Sequence, residues 1–117
     1  MQKRILIAED DQVARELLTS FAKMQGYDVI AVANGVDLLT IVTFESFDVV
    51  ITDLIMADLN GAAAAEIMKM QGNMTPVIAL TGVSPHDMDL VKDKFTKIYH
   101  KPVNISEVFR YIESLIG

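Results

Sequence analysis

The 117-residue sequence contains no cysteine and no tryptophan. Without cysteine there can be no disulfide, no thiol nucleophile and no zinc–thiolate centre, so the fold must rest on its core alone, as suits a reducing compartment. Long apolar runs are missing as well. Near the start, Ile5-Leu6-Ile7-Ala8 is cut off by Glu9-Asp10-Asp11, too short for a signal-peptide core or a membrane span. The expectation is a soluble, cytoplasmic chain with no membrane insertion. Basic residues are in the minority: 10 Lys and Arg face 16 Asp and Glu, a net charge of −6. Nucleic-acid affinity depends mostly on neutralising phosphates with Lys and Arg, so direct nucleic-acid binding is not expected and cations or basic partner surfaces are favoured. Internal repeats, low-complexity tracts and linker-like stretches are absent.

What is present is an apolar majority of 51% on a length that suits one domain, residues 1–117, able to bury about two-thirds of its unfolded surface. Five short segments read as strands: Ile5–Ala8, Asp28–Val32, Val49–Thr52, Val77–Leu80 and Ile98–His100. The first, third and fourth are almost continuously apolar, as strands buried on both faces of a parallel sheet must be. Helix-period segments lie between them. Val13, Leu17, Leu18 and Phe21 share one helical face, and Ile105, Val108, Phe109, Ile112, Leu115 and Ile116 repeat with a 3.6 period behind an Asn104/Glu107 cap. Asn34-Gly35 and Asn60-Gly61 precede two more helices. Ser84-Pro85-His86-Asp87 carries a hydroxyl cap, a proline at the first helical position and an acid at the third, which predicts a further helix. The reading is (βα)5, an α/β fold with a parallel sheet and helices on both faces.

In open α/β sheets, ligands sit beyond the carboxyl ends of the strands. The residues there are Glu9, Asp10 and Asp11 after the first strand, Asp53 after the third, Thr81-Gly82 after the fourth and Lys101-Pro102 after the fifth. Taken singly each has a bland explanation, since an acid after a strand is often a helix cap and a lone lysine is usually a solvated charge. Together they gather carboxylates, a hydroxyl and an ammonium at one edge. Two like charges about 4 Å apart repel by roughly 4 kcal/mol at an effective dielectric of ~20, so Glu9, Asp10 and Asp53 call for a cation. An all-oxygen set with positions open to water and phosphate suits Mg²⁺.

These four motifs, Ile5-Leu6-Ile7-Ala8-Glu9-Asp10-Asp11, Asp48-Val49-Val50-Ile51-Thr52-Asp53-Leu54-Ile55-Met56, Leu80-Thr81-Gly82 and Lys101-Pro102, resemble those of the receiver domains of two-component response regulators, over the whole chain. The resemblance implies a flavodoxin-like doubly wound sandwich with strand order 2-1-3-4-5. It implies a signalling domain rather than an enzyme in its own right, taking a phosphoryl group on Asp53 from a histidine kinase or histidine phosphotransfer protein and signalling to a downstream effector. Asp10 and Asp53 would bind Mg²⁺ directly, the backbone carbonyl of Ile55 would add a third protein ligand, and Glu9 would act through water. Thr81 would donate to one phosphoryl oxygen and Lys101 would pair with another, held by a cis bond to Pro102.

Several residues depart from the family pattern. Glu9 stands where aspartate is commoner, and Ala57 where proline usually follows Met56. The switch aromatic, three positions before the lysine, is replaced by Ile98; Tyr99 is one position late, which on a strand points it to the opposite face. The output surface is therefore expected to be unusual. Ile55 and Val83, two residues beyond Asp53 and Thr81, are apolar and would position an attacking water poorly, which predicts slow loss of phosphate. His100 reads as a strand residue, and the methionines Met56, Met68, Met70, Met74 and Met88 read mainly as core filler.

Other classes fit less well. A haloacid-dehalogenase-type phosphatase would need a second aspartate two residues after the nucleophile, where Ile55 stands. A nucleotide-binding domain would need a glycine-rich phosphate loop, and neither G-x-x-x-x-G-K nor G-x-G-x-x-G occurs. The remaining alternative is a phosphorylation-independent pseudo-receiver that acts as a protein-interaction module.

Overall fold

The computed structural model describes residues 2–117. Five parallel strands, β1 (Arg4–Ala8), β2 (Asp28–Val32), β3 (Val49–Asp53), β4 (Val77–Thr81) and β5 (Lys97–His100), form one sheet in the order β2-β1-β3-β4-β5. Four α-helices complete the fold: α1 (Gln12–Met24), α2 (Gly35–Phe44), α3 (Gly61–Met70) and α4 (Ile105–Ile116). Among these residues no helix is long and apolar enough to cross a membrane.

Alternation along the strands divides the core in two. Ile5, Ile7, Val49, Ile51, Ile78 and Leu80 pack with Leu18 and Ala22 of α1 and Val108, Phe109 and Ile112 of α4. Leu6, Ala8, Val50, Val77 and Ala79 pack on the other face with Leu38 and Val42 of α2, Ala64, Ala65 and Met68 of α3, and Met88 and Phe95. Burial on both faces is why the central strands can be apolar at every position. Of the methionines read as core filler, Met56, Met68 and Met88 are buried, whereas Met70 and Met74 are exposed.

Each α-helix begins at a side-chain cap that orders its first turn. Asp11, Asn34, Asn60 and Asn104 accept from the amides of Ala14, Asp37, Ala63 and Glu107 respectively. The two glycines behind Asn34 and Asn60 are demanded by space. A Cβ on Gly61 would stand 2.3 Å from the carbonyl oxygen of Asp53, and one on Gly35 would stand 2.1 Å from that of Leu59. The loop from β3 to α3 is thereby pressed between two helix starts, and the Gly61 amide donates to the Leu54 carbonyl at 2.8 Å.

The helix predicted from Ser84 does not form. Its cap is made, with Asp87 N donating to Ser84 Oγ at 3.2 Å and Ser84 Oγ donating to Asp87 Oδ2 at 2.9 Å. Beyond the cap the chain runs through tight turns into one 3₁₀ turn, Lys92–Lys94. Asp89, Val91, Lys94 and Phe95 donate to carbonyls three residues back, the 3₁₀ pattern, while Met88 and Lys92 also donate four back, to Ser84 and Met88. The inward side chains do not decide between the two, because Met88, Val91 and Phe95, all packed on the core, are spaced three and four apart as on a helix face. Asp87, Asp89 and Asp93 are weak helix formers and Leu90 is 92% exposed, which weakens the segment as a helix.

Candidate functional site

Parallel strands deliver their last residues to a common edge. Asp53 and Thr81 close β3 and β4 rather than following them, Glu9 and Asp10 come directly after β1, and Lys101 comes directly after β5. Glu9, Asp10 and Asp53 each offer a carboxylate oxygen to a cluster spanning no more than 4.8 Å. Glu9 and Asp53 are buried and Asp10 is exposed. The neighbouring acid, Asp11, is turned away as the cap of α1.

Lys101 Nζ joins two of these acids, at 2.9 Å from Asp53 Oδ2 and 3.3 Å from Glu9 Oε1. Its peptide bond to Pro102 is cis. Asp53 Oδ1 accepts from the Ile55 amide at 3.3 Å and Glu9 Oε2 accepts from the Asp11 amide at 3.2 Å. The Ile55 side chain points to solvent. Thr81 is fully buried, and its Oγ1 accepts from the Val83 amide at 3.0 Å. On β5, Ile98 packs on the α2–α3 side, while Tyr99 faces α4 edge-on to Tyr111, with ring centroids 6.3 Å apart.

The charges do not balance. Burial pushes the Glu9 carboxyl up to about 7, against the opposing pull of the Asp11 amide, and the negative charge of Asp53 adds to the rise while Lys101 lessens it. For Lys101 burial works against the ammonium, but the hydrogen bond and charge of Asp53, followed by those of Glu9, outweigh it and hold its pKa above the usual lysine value. One ammonium among three carboxylates leaves a net negative pocket of hard oxygen donors. That donor set fits a small dication.

Three supporting residues escaped the sequence reading. Arg15 Nη1 donates to the carbonyls of Glu9 and Asp10, at 2.8 and 3.3 Å, and so holds the acidic loop from the helix behind it. Thr52 Oγ1, fully buried, donates to the Asp53 carbonyl at 2.9 Å. His100 Nδ1 lies 3.0 Å from the Val83 carbonyl. The first carries a weak signal, a lone cation one turn into the helix that follows three acids. The other two depend on contacts that spacing does not encode.

Comparison with known proteins agrees with this geometry. The family model of the response regulator receiver domain matches residues 5–113. The chain belongs to that family. The sporulation initiation phosphotransferase F of Bacillus subtilis is 31% identical to this receiver over 110 residues, which are 92% of this chain and 89% of that protein. The transcription factor SKN7 of Candida albicans is 31% identical over 108 residues, 90% of this chain, yet the receiver spans only 19% of that protein's length. Among solved structures, the response regulator TrrA of Thermotoga maritima, in complex with Mg²⁺–BeF, superposes with a TM-score of 0.89 at 27% identity, covering 97% of this chain and 99% of that one.

Proposed function

We propose that this receiver accepts a phosphoryl group on Asp53 in a Mg²⁺-dependent reaction and passes the change to a partner protein. The observation that carries the reading is the joining of Asp53 to Lys101 at 2.9 Å beside two further acids. A carboxylate attacks phosphorus only when ionised, and its charge must be compensated as the phosphoryl group arrives. Lys101 pairs with the Asp53 carboxylate at 2.9 Å and is placed to meet an incoming oxygen.

The donor is a phosphohistidine of a histidine kinase or phosphotransfer protein. An Asp53 carboxylate oxygen forms the new P–O bond as the P–N bond breaks; the imidazole leaves with the bonding pair and takes up a proton. Glu9, Asp10, Asp53 and the Ile55 carbonyl would hold Mg²⁺, which when bound neutralises equatorial phosphoryl oxygens. Thr81, at the end of the neighbouring strand, donates to the phosphoryl group once it is in place. The added charge and its acceptor oxygens draw on the loop after β4, and a downstream effector reads that loop.

Relatives support these roles in kind. TrrA was solved with Mg²⁺–BeF, the Bacillus subtilis relative is a phosphotransferase, and SKN7 joins a similar stretch to a transcription factor. The test is intact mass after incubation with acetyl phosphate and Mg²⁺. Wild type is expected to gain one phosphoryl group and Asp53→Ala none. No gain on wild type, or an equal gain on the variant, overturns the proposal and leaves the phosphorylation-independent binding module.

A further inference from the structure

The family position that usually carries an aromatic holds Ile98 here, buried against the α2–α3 side of the sheet. Side chains on a strand alternate, so the next residue on that same face is His100, the last of β5. His100 is the register partner of Thr81 across the β4–β5 ladder. Its Nδ1 lies 3.0 Å from the carbonyl of Val83. A carbonyl only accepts, so Nδ1 carries the hydrogen. The amide of the same Val83 donates to Thr81 Oγ1 at 3.0 Å, and the Lys101 amide donates to the Thr81 carbonyl at 2.7 Å. His100 thus holds the Val83–Ser84 peptide and the Thr81 hydroxyl holds the Gly82–Val83 peptide, so the two hydrogen bonds flank Val83 on either side of its Cα.

The order of donors around Thr81 matters. The Thr81 oxygen receives the Val83 hydrogen, and among the described residues its own hydroxyl hydrogen is given to no acceptor. A hydroxyl whose oxygen is already held keeps its hydrogen for an arriving acceptor, and donors held in place act without the cost of reordering at the moment of reaction.

We propose that His100 is a positioning residue for phosphoryl acceptance: by holding the Val83 carbonyl it restrains the backbone at Val83, and with it the Val83 amide that bonds the Thr81 hydroxyl, which donates to the phosphoryl group on Asp53. It takes over at the end of β5 the coupling between β4 and β5 that Ile98 has no polar group to make. This inference rests on Asp53 being the phosphoacceptor. Losing one neutral hydrogen bond, worth about 1 kcal/mol, corresponds to roughly a fivefold change.

The experiment compares wild type, His100→Leu and His100→Asn, the last placing an amide N–H close to the Nδ1 position. Each is incubated with acetyl phosphate and Mg²⁺ and the initial rate of phosphorylation is read by intact mass; exchange of the Val83 amide is followed by NMR. His100→Leu is expected to be about fivefold slower and to exchange the Val83 amide faster, with His100→Asn close to wild type in both. In a Thr81→Ala background, His100→Leu is expected to have no further effect on rate. Equal Val83 exchange in wild type and His100→Leu overturns the inference, as does an undiminished His100→Leu effect without the Thr81 hydroxyl. Failure of wild type to gain a phosphoryl group overturns instead the assignment of Asp53, a separate outcome from a wild type that reacts at the same rate as His100→Leu.

Discussion

The loop from β3 to α3 and the crossover from β4 to β5 leave the same sheet edge on adjacent strands, yet the chain treats them differently. After β3 the backbone is wedged: Gly61 and Gly35 leave no room for even a methyl group, the Gly61 amide is bonded to Leu54, and α3 begins at once behind its Asn60 cap. After β4 the cap at Ser84 is made and no α-helix follows. That crossover is tied down by a few buried side chains, Met88 and Phe95, and by two polar links to α3, Lys94 to Glu66 at 2.6 Å and Lys69 Nζ to the Asp93 carbonyl at 3.0 Å. A cap orders a first turn; residues of good helix propensity are needed to extend it. One side of the acidic site is therefore tightly wedged, and the other is held by fewer buried side chains.

The sharpest way to break this contrast is in the wedge. Gly61→Ala must displace the Asp53 carbonyl, and a loss of about 3 kcal/mol is expected by denaturant unfolding, the upper part of the range for overpacking. A loss under about 0.5 kcal/mol would show that the loop yields. Met88→Ala, the main anchor of the loose side, is expected to cost about 2 kcal/mol, the lower end for a buried methionine, because the open segment can settle around the gap. The caps compare the two regions directly. Asn60→Ala is expected to lose about 1 kcal/mol, while Ser84→Ala, with no α-helix to start, loses much less than that; equal losses would contradict the difference drawn here.

The last comparison is electrostatic. The Glu9 carboxyl stands at about 7 in the fold against an ordinary 4.5, so between those values the folded state binds more protons than the unfolded. Metal-free stability is then expected to fall as pH rises through that window and to level off above it. Thermal unfolding at pH 5 and pH 8 checks the sign. Glu9→Gln should flatten the slope, and the stabilisation given by Mg²⁺ should grow from pH 5 to pH 8, as ionised Glu9 adds to the attraction.

The wedge also marks the boundary of what could be read from one sequence. Strands announced themselves by continuous apolar runs, and Asn34, Asn60 and Asn104 announced helix starts, because these signals are local. The convergence of Glu9, Asp10, Asp53, Thr81 and Lys101 was legible for a topological reason: parallel strands must end on the same side. Ser84 misled because its cap is as well formed as the others and because Met88, Val91 and Phe95 keep a helical spacing; what tells against the helix is the run of weak helix formers, Asp87, Asp89 and Asp93. Arg15, Thr52 and His100 were invisible as supports, since each acts on a backbone group and any of several residue types supplies a similar donor.

The guanidinium of Arg15 grips the β1–α1 loop by its carbonyls and leaves the carboxylates untouched. Glu9 does both jobs, since its carboxylate also accepts from the Asp11 amide, whereas the exposed Asp10 side chain is a prong whose exchange would change the donor set while Arg15 still seats the loop. Asp10 is thus the position at which this corner of the receiver could be given a different ion preference on an otherwise unchanged fold.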